Sequence, residues 1–343
     1  MKCRGVISVF FLFLINLSSY SQSKSLLGAG ATFPEPLYSR MFSEYYKIYG
    51  VAVNYQPIGS GGGIKQLISK TIDFGATDVP LTEEEEREAG EKIVHIPVCI
   101  GAVVVVFNLP GITSIKLTPE VIADIFLGKI TKWDDERISS LNPDIKLPNL
   151  PILVVRRSDG SGTTYIFSDY LSGVSTEWKE KVGKGKSLNW PAGIGGKGNA
   201  GVTAYVKQTP GAIGYVEKAY ATQNRLGVVA IKNKAGVFVL PELKNIMASA
   251  NQKISSLKFS LLNSRSKDAY PLSSFTWIIV YRELSNVAKD IEKAREIKKL
   301  LLWMINDGQK YAQFYDFAPL PEDLVKIVEK EIKSLTFKGK LDF

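Results

Sequence analysis

Cysteine and histidine are scarce in this 343-residue chain, which has two cysteines, Cys3 and Cys99, and one histidine, His95. Cys3 precedes the apolar stretch at the amino terminus, so Cys99 has no partner for a disulfide and no basic neighbour that would activate it. We expect Cys99 to pack as a small apolar residue. A lone histidine with no cluster of Cys, Asp or Glu at ligand spacing seldom binds a metal. We therefore expect no metal site, and we expect His95 to lie at the edge of a strand without a functional role.

The chain also lacks an apolar run of the roughly 20 residues that a membrane-spanning helix needs. The best candidate, residues 6–17, is shorter, and it follows Lys2 and Arg4. It precedes Ser19-Tyr20-Ser21, which has small residues at the two positions that a signal peptidase reads. This order is typical of a secretory signal peptide, which we place at residues 1–21. The remaining chain is expected to be exported and soluble.

Negative charge is in deficit. The chain has 43 Lys and Arg against 34 Asp and Glu, a net charge of +9, and removing residues 1–21 takes away two basic residues and leaves +7. The lysines are scattered, with no basic stripe interleaved with aromatic residues and no nucleic-acid motif. We therefore expect no nucleic-acid partner, and we interpret the excess charge as a weak attraction for anions.

One segment combines several donors for an anion. Residues 156–164 read Arg-Arg-Ser-Asp-Gly-Ser-Gly-Thr-Thr and directly follow the apolar run 151–155. This pattern predicts a strand that ends in a turn and opens a helix. The guanidinium of Arg157, the hydroxyls of Ser161 and Thr163 and the free amides of a new helix all fall within this turn. The turn is therefore predicted to hold an oxyanion.

Two further turns have the same character. Residues 59–63, Gly-Ser-Gly-Gly-Gly, follow the strand-like run 51–55 and place Ser60 at or next to a helix N-cap. Residues 28–36 place Thr32 before a helix whose first turn is marked by two prolines. Three donor turns in one chain indicate an anion site more strongly than a single glycine loop does.

A fourth turn carries an acceptor. Asp78 lies in residues 73–80, Asp-Phe-Gly-Ala-Thr-Asp-Val-Pro, just before a proline. One carboxylate among so many donors predicts a ligand that itself carries a proton. Such a site rejects a fully ionised anion, because the carboxylate would face only unprotonated oxygens and be left unpaired.

These segments, with two later ones, resemble the periplasmic phosphate-binding protein of bacterial phosphate ABC importers. The resemblance covers nearly the whole chain after the signal peptide. Two departures are visible: Gly61 stands where relatives often have a second serine, and Ser158 where they often have alanine. Neither removes a ligand. The matching segments, in order, are residues 28–36, 59–63, 73–80, 156–163, 195–199 and 210–216.

The resemblance implies that the protein binds inorganic phosphate with high affinity in the periplasm and delivers it to an inner-membrane ABC permease with ATPase subunits. It implies no catalysis, no metal and no other cofactor, and we expect a monomer. Asp159 is expected to pair with Arg157 and hold its guanidinium toward the ligand. The positions that match the family's phosphate ligands are Thr32, Phe33 through its backbone amide, Ser60, Asp78, Arg157, Asp159, Ser161, Gly162 and Thr163.

The order of elements predicts an α/β protein. Short apolar strands alternate with helical patterns over residues 26–107 and 153–231, and a long helical region fills residues 287–335. The glycine-rich residues 193–201 are expected to be the most flexible stretch. Residues 82–85 fit a capping box, and residues 133–136 a turn that opens a helix.

The resemblance implies a two-lobe periplasmic-binding-protein fold of type II, in which each lobe is a mixed sheet flanked by helices and a hinge joins the lobes. We place lobe I at residues 22–99 plus 271–343 and lobe II at residues 100–270. The apolar runs 100–107 and 275–281 are the predicted crossings between lobes.

Other functions fit the sequence less well. A hydrolase using Ser60 or Ser161 would need a base, and the Gly-x-Ser-x-Gly pattern is absent around both serines. A nucleotide site at residues 193–197 lacks the hydroxyl residue that the P-loop pattern requires, because Gly198 follows the lysine. A receptor for sulfate or another tetrahedral oxyanion is disfavoured by Asp78.

Overall fold

A computed structural model describes residues 25–252, 254 and 256–340, so the predicted signal peptide at residues 1–21 lies outside the described part. Strands alternate with helices through most of the chain, which confirms the α/β class. The strands are β1 (Ser25–Gly30), β2 (Ala52–Gln56), β3 (Phe74–Thr77), β4 (Ile93–Phe107), β5 (Ser114–Leu117), β6 (Leu153–Arg157), β7 (Ile194–Gly196), β8 (Ala212–Glu217), β9 (Gly227–Lys232), β10 (Phe238–Val239) and β11 (Ser273–Tyr281).

The helices lie between these strands and at the carboxyl end. Short 3₁₀ segments, Leu284–Asn286, Asp307–Tyr311 and Gln313–Tyr315, accompany them. The α-helices are α1 (Glu35–Tyr49), α2 (Ser60–Ile68), α3 (Glu83–Ala89), α4 (Pro119–Phe126), α5 (Glu136–Ser139), α6 (Gly162–Val174), α7 (Thr176–Lys181), α8 (Gly198–Gln208), α9 (Lys218–Asn224), α10 (Leu243–Ala248), α11 (Ile291–Ile305) and α12 (Glu322–Lys333).

The long strand β4 belongs to two groups of strands. Its first part, up to Ala102, pairs antiparallel with β11, and β11 continues to β3, β1 and β2. Its last part, from Val103, pairs antiparallel with β8, which continues to β6 and β7. The first group also contains the parallel pairs β1–β2 and β1–β3, and the second the parallel pairs β6–β7 and β6–β8. Each group is therefore a mixed sheet. Every residue of β4 is buried, which explains its nearly continuous apolar sequence.

The ends of the parallel strands bring several turns to one region. Gly30 closes β1 beside Ala76 of β3, and its φ of +144° is one that residues with a side chain rarely adopt. A Cβ at Gly30 would lie 2.1 Å from the Ala76 carbonyl oxygen. Because carboxyl ends of parallel strands lie at the same edge of a sheet, the turns after β1 and β3 are neighbours.

The helices pack on the sheets through one apolar face. In α1, the buried Leu37, Met41 and Tyr45 recur at helical spacing, and the helix ends at Gly50 in the left-handed conformation. The helical region predicted for residues 287–335 is not continuous. It divides into α11 and α12, with 3₁₀ turns and the left-handed Asp316 between them.

Several local predictions can be compared with the fold. The capping box is confirmed, since Thr82 accepts from the Glu85 amide and Glu85 reaches back to the Thr82 amide. Asp135 caps α5, as residues 133–136 predicted, and Cys99 is a buried free thiol. Within the described residues, no helix has the length and apolar character needed to cross a bilayer.

Two predictions are wrong. His95 does not lie at the margin of the strand: it is buried inside β4, pairs with Ile279 of β11 and accepts a hydrogen bond from the Leu81 amide at 3.1 Å. Residues 193–201, expected to be the most flexible stretch, contain β7 and the beginning of α8 and so are largely regular structure. β7 pairs with β6, and a glycine-rich sequence by itself does not predict these backbone hydrogen bonds.

Candidate functional site

Thr32 and Phe33 lie in the turn between β1 and α1. Both side chains are buried, and the Phe33 ring packs edge-on against Phe317 at 6.1 Å between centroids, which fixes the backbone of the turn. The Thr32 carbonyl accepts a hydrogen bond of 2.7 Å from the Tyr220 hydroxyl. The turn is therefore held from two directions while the Thr32 hydroxyl stays inside the molecule.

Ser60 is the first residue of α2, directly after the N-cap Gly59, whose φ is 93°. The Ser60 side chain is fully buried. Its hydroxyl lies 3.4 Å from Oδ2 of Asp78 and accepts a hydrogen bond of 3.3 Å from the Asp78 amide. The second donor turn thus contacts the turn that carries the acceptor.

The third donor turn lies between β6 and α6. Ser161 is the N-cap of α6, and its hydroxyl oxygen accepts from the Thr164 amide at 3.0 Å. Gly162 and Thr163 form the first turn of the helix, whose leading amides have no partner within the helix itself. This arrangement presents hydroxyl and amide donors at one helix terminus.

Arg157 is held at the end of β6 by Asp159. Two guanidinium nitrogens donate to the two Asp159 carboxylate oxygens, Nε at 2.8 Å and Nη2 at 2.5 Å. Nη1 donates to the Thr163 hydroxyl at 3.2 Å. Burial acts to raise the pKa of Asp159, but the hydrogen bonds and charge of Arg157, with the Gly198 amide, outweigh it and hold the pKa below its ordinary value. Asp159 therefore stays ionised and fixes the fork of Arg157.

Asp78 follows β3 and is 1% exposed. Its Oδ1 accepts a hydrogen bond of 2.9 Å from the Thr276 hydroxyl of β11. Burial raises the pKa of Asp78 to about 7, although the Thr276 hydrogen bond, the charge of Arg157 and the Ser60 hydrogen bond act to lower it. The carboxyl group can therefore gain or lose a proton near neutral pH.

Glycines allow the four turns to meet. The Gly61 amide donates to the Gly160 carbonyl at 2.9 Å and joins the second donor turn to the third. A Cβ at Gly162 would lie 2.5 Å from the Ser60 hydroxyl and 2.7 Å from Asp78 Oδ2. These contacts bring the turns that carry the nine predicted residues together in one largely buried cluster, in which Asp159 is partly exposed. Hydroxyl, amide and guanidinium donors meet there, and Asp78 is the one carboxyl group of the nine residues that is not paired with Arg157. This set complements a small oxyanion that carries a proton.

Two buried residues of this cluster were missed from the sequence. Thr276 contacts Asp78, and the Asn199 side chain contacts both Thr32 and Thr163. One signal for Thr276 was available: its hydroxyl interrupts the apolar run 275–281. Asn199 follows the pattern Gly-Gly-Lys-Gly at a helix start, where an amide side chain is easily taken for a cap.

A cavity of about 380 Å³ opens beside the cluster. Thr32, Asp159, Lys197, Gly198 and Tyr220 contribute to its lining. A separate cavity of about 510 Å³, near His95, contains none of the predicted ligand residues. No group of three or more His, Cys, Asp or Glu suited to a metal ion occurs in the part of the chain that the structure describes.

Solved structures of similar shape include PfluDING, a high-affinity periplasmic phosphate-binding protein solved with phosphate bound. It has a TM-score of 0.71 and 20% identity and covers 89% of this chain and 93% of its own. A phosphate-binding protein from Stenotrophomonas maltophilia gives a TM-score of 0.66 at 17% identity and covers 90% of this chain and 93% of its own. These likenesses confirm the predicted periplasmic-binding-protein fold of type II.

Sequence comparison gives a more specific result. The PBP superfamily domain matches residues 18–307. The phosphate-binding protein PstS of Pasteurella multocida is 44% identical over 320 residues, 92% of this chain and 91% of the relative. PstS of Xylella fastidiosa is 45% identical over 319 residues, 91% of this chain and 86% of the relative. This chain therefore belongs to the PstS family of phosphate-binding proteins, within the PBP superfamily.

Proposed function

We propose that this protein captures inorganic phosphate in the periplasm and delivers it to an ABC transporter that imports it. The observation that carries the proposal is the convergence of three donor turns on one buried carboxyl group, Asp78. Relatives named as phosphate-binding proteins over most of the chain support the same ligand. The transporter partner, an inner-membrane permease with its ATPase subunits, follows from the resemblance, as do a monomeric receptor and export by the segment at residues 1–21.

The ligand roles form part of this proposal. The hydroxyls of Thr32, Ser60, Ser161 and Thr163 donate to phosphate oxygens, and Arg157 supplies the positive charge. Backbone amides of Phe33 and Gly162 add further donors. Asp78 shares the proton of the ligand, while Asp159 orients Arg157 from the side.

The number of donors is sufficient for tight binding. Moving an anion out of water without compensation costs tens of kcal/mol. A hydrogen bond to a charged group contributes about 1.5–3 kcal/mol net, and a helix N-terminus about 0.3–2 kcal/mol. Micromolar affinity requires about 8 kcal/mol. The hydroxyls, Arg157 and the amino ends of α1, α2 and α6 can together exceed this value.

We also propose that the two groups of strands are two lobes that close on the ligand, with lobe I at residues 22–99 plus 271–343 and lobe II at residues 100–270. Thr32, Ser60 and Asp78 then belong to lobe I, and residues 157–163 to lobe II. Phosphate favours the closed form because it bridges donors on both sides.

Binding without catalysis is the accompanying proposal. The Ser60 hydroxyl contacts Asp78, and the Ser161 hydroxyl oxygen accepts from the Thr164 amide. The single histidine, His95, is buried and bonded through Nε2 to the Leu81 amide. A phosphatase assay with a chromogenic ester is expected to show no turnover by the purified protein.

Calorimetric titration tests the proposed ligand directly. Phosphate is expected to bind one site with a dissociation constant at or below about 1 μM, with sulfate bound at least about 10³-fold more weakly. Arsenate, which has the same shape and protonation, is the positive control for recognition of a protonated tetrahedral anion. Equal affinity for sulfate and phosphate would contradict the role given to Asp78, and no phosphate binding would overturn the function.

Asp78→Asn separates affinity from selectivity. The amide can still hydrogen-bond to phosphate but no longer repels a fully ionised anion. We expect the variant to bind phosphate and to lose part of its rejection of sulfate, so the ratio of the two dissociation constants falls by about 10-fold or more. Unchanged sulfate exclusion in a folded Asp78→Asn protein would show that another group sets selectivity.

A further inference from the structure

Asn199 contacts two of the predicted ligand hydroxyls. It is fully buried at the start of α8. Its Nδ2 donates to the Thr32 hydroxyl oxygen at 2.8 Å and to the Thr163 hydroxyl oxygen at 3.3 Å. Its backbone amide also donates to the Thr32 hydroxyl oxygen, at 3.2 Å. The residue therefore connects a donor from the turn after β1 with a donor from the turn after β6.

The orientation of the Asn199 side chain is determined by a third contact. The Glu217 amide donates to Asn199 Oδ1 at 2.9 Å. A backbone N–H can only donate, so the atom that it meets is the amide oxygen, and the NH₂ group must face the two threonines. Asn199 therefore acts toward Thr32 and Thr163 as a donor.

This donation determines where the Thr32 hydroxyl hydrogen can point. A hydroxyl oxygen has two acceptor lone pairs and one hydrogen. Two N–H groups of Asn199 occupy both acceptor positions on Thr32. The hydroxyl hydrogen must then point away from Asn199 and is free for another acceptor.

Thr163 is arranged in the same way by two different residues. Its hydroxyl oxygen accepts from Arg157 Nη1 at 3.2 Å and from Asn199 Nδ2 at 3.3 Å. Its hydrogen is again left free to donate. Arg157 alone would leave one lone pair open, and the hydroxyl could then turn its hydrogen elsewhere.

We propose that Asn199 is a positioning residue that sets two threonine hydroxyls as donors to the bound anion by occupying their acceptor lone pairs. The inference rests on the proposed phosphate-binding function. Asn199 itself need not touch the ligand. It selects anions over neutral or cationic ligands because it prevents Thr32 and Thr163 from acting as acceptors.

Two variants test the role. Asn199→Ala removes the donors, and Asn199→Asp keeps the oxygen that receives the Glu217 amide but replaces the NH₂ group with an acceptor. We expect Asn199→Ala to weaken phosphate binding by about 10-fold, and Asn199→Asp by more, because both hydroxyls would then donate to the new carboxylate. Calorimetry gives the affinities, and thermal unfolding without phosphate reports any loss of fold.

A double-mutant cycle distinguishes positioning from a structural role. In a Thr32→Val, Thr163→Val background the two hydroxyls are gone, so Asn199→Ala should weaken phosphate binding by no more than about 2-fold. The matched control is Ser60→Ala, whose hydroxyl contacts Asp78 and has no bond to Asn199. In the Ser60→Ala, Asn199→Ala double variant, the fold loss of phosphate affinity should equal the product of the two single losses. An Asn199→Ala loss that stays about 10-fold without the threonine hydroxyls would overturn the proposal.

The pH profile gives a second readout. Burial disfavours the charged form of the new carboxyl in Asn199→Asp, so this group should take a proton as the pH falls from about 8 to about 5. Its single O–H can then donate to one of the two threonines, and the affinity should rise part of the way to that of the wild type. Comparison with the wild type at each pH cancels the titration of phosphate, Asp78 and Asp159. If the wild type fails to bind phosphate, the proposed function is wrong; if it binds and both Asn199 variants bind equally well, only the role of Asn199 is wrong.

Discussion

The carboxyl group of Asp78 is 1% exposed and receives a hydrogen bond from Thr276 on one oxygen. Burial raises its pKa from 3.8 to about 7. The carboxyl group of Asp78 therefore binds its proton more tightly in the folded protein than in the unfolded chain. Protonation of Asp78 therefore stabilises the folded state fully below pH 3.8, and this stabilisation is lost as the pH rises through about 7.

Replacing Asp78 by Asn is expected to change stability in a pH-dependent direction. Without phosphate, the variant and the wild type should unfold at similar urea concentrations near pH 4. Near pH 8 the variant should be more stable by about 2–4 kcal/mol, because no charge must stay buried. Asp159→Asn is the control from the same site. Its pKa is lowered, so its replacement should destabilise at neutral pH, and equal behaviour of the two variants would contradict the assignment.

Thr276 is expected to act on the ligand through Asp78. Thr276→Val keeps the shape but removes the hydrogen bond that lowers the Asp78 pKa. The pH at which phosphate affinity changes because of Asp78 should therefore move upward, and affinity at pH 7 should change by a few-fold. Thr276→Ser keeps a hydroxyl and should restore the wild-type profile. A Ser variant that behaves like the Val variant would point to packing as the cause.

At the level of elements, helix α3 is connected to the third donor turn. Glu85 completes the capping box of α3 and also forms an ion pair with Lys186. The carbonyl of Lys186 accepts from the Ser161 amide at 2.9 Å. The two side chains are 20% and 16% exposed, so water screens this pair less than a fully exposed one. The pair links the segment after Asp78 to the segment that carries Ser161.

Variants of this pair distinguish a link between elements from a simple charge effect. Glu85→Gln removes a negative charge, which alone would favour an anion, and glutamine can still complete a capping box. We expect phosphate affinity to fall about 2- to 5-fold instead, because the link is lost. Lys181→Ala removes a more exposed ion pair with Glu177 and is the neutral control. Tighter phosphate binding by Glu85→Gln would show that charge dominates.

Much of this arrangement could be predicted from local pattern. Strand, glycine turn and helix start follow one another around Thr32, Ser60 and Arg157, and each is set by neighbouring residues. Contacts between segments far apart in the chain could not be predicted. Asn199 meets Thr32 across 167 positions and Thr276 meets Asp78 across 198, and nothing in either local sequence specifies the partner.

The predictions for His95 and for residues 193–201 were wrong for the same reason, because contacts with distant segments determine both. A lone histidine beside an apolar run suggests a position at the end of a strand, but His95 is buried within β4 and pairs with Ile279 of β11. Glycine-rich residues suggest flexibility, but pairing with β6 gives β7 its hydrogen bonds. In both segments the deciding interaction comes from a strand elsewhere in the sequence.

At the scale of the whole molecule, strand β4 is common to both groups of strands, and direct contacts also join them on either side of the cluster. The Gly61 amide bonds to the Gly160 carbonyl, the Tyr220 hydroxyl bonds to the Thr32 carbonyl, and Lys218 pairs with Asp316. These contacts are the ones that opening of the proposed lobes would break. The arrangement therefore has the contacts expected of a closed form.

Small-angle scattering can test closure. Because phosphate would bridge donors on both lobes, its addition is expected to reduce the radius of gyration of the protein. Sulfate at the same ionic strength is the control and should leave the radius unchanged. An identical radius with and without phosphate, in a protein that binds phosphate by calorimetry, would mean that binding occurs without closure.

The close approach of Gly162 to Ser60 and Asp78 also restricts how the gene can vary. Every amino acid that a single base change can introduce at a glycine codon has a Cβ, and a Cβ at position 162 would collide with both side chains. Gly173, on the same helix, has open space around the equivalent position. In a randomised library selected for phosphate capture, codon 162 should therefore remain glycine, whereas codon 173 should diversify.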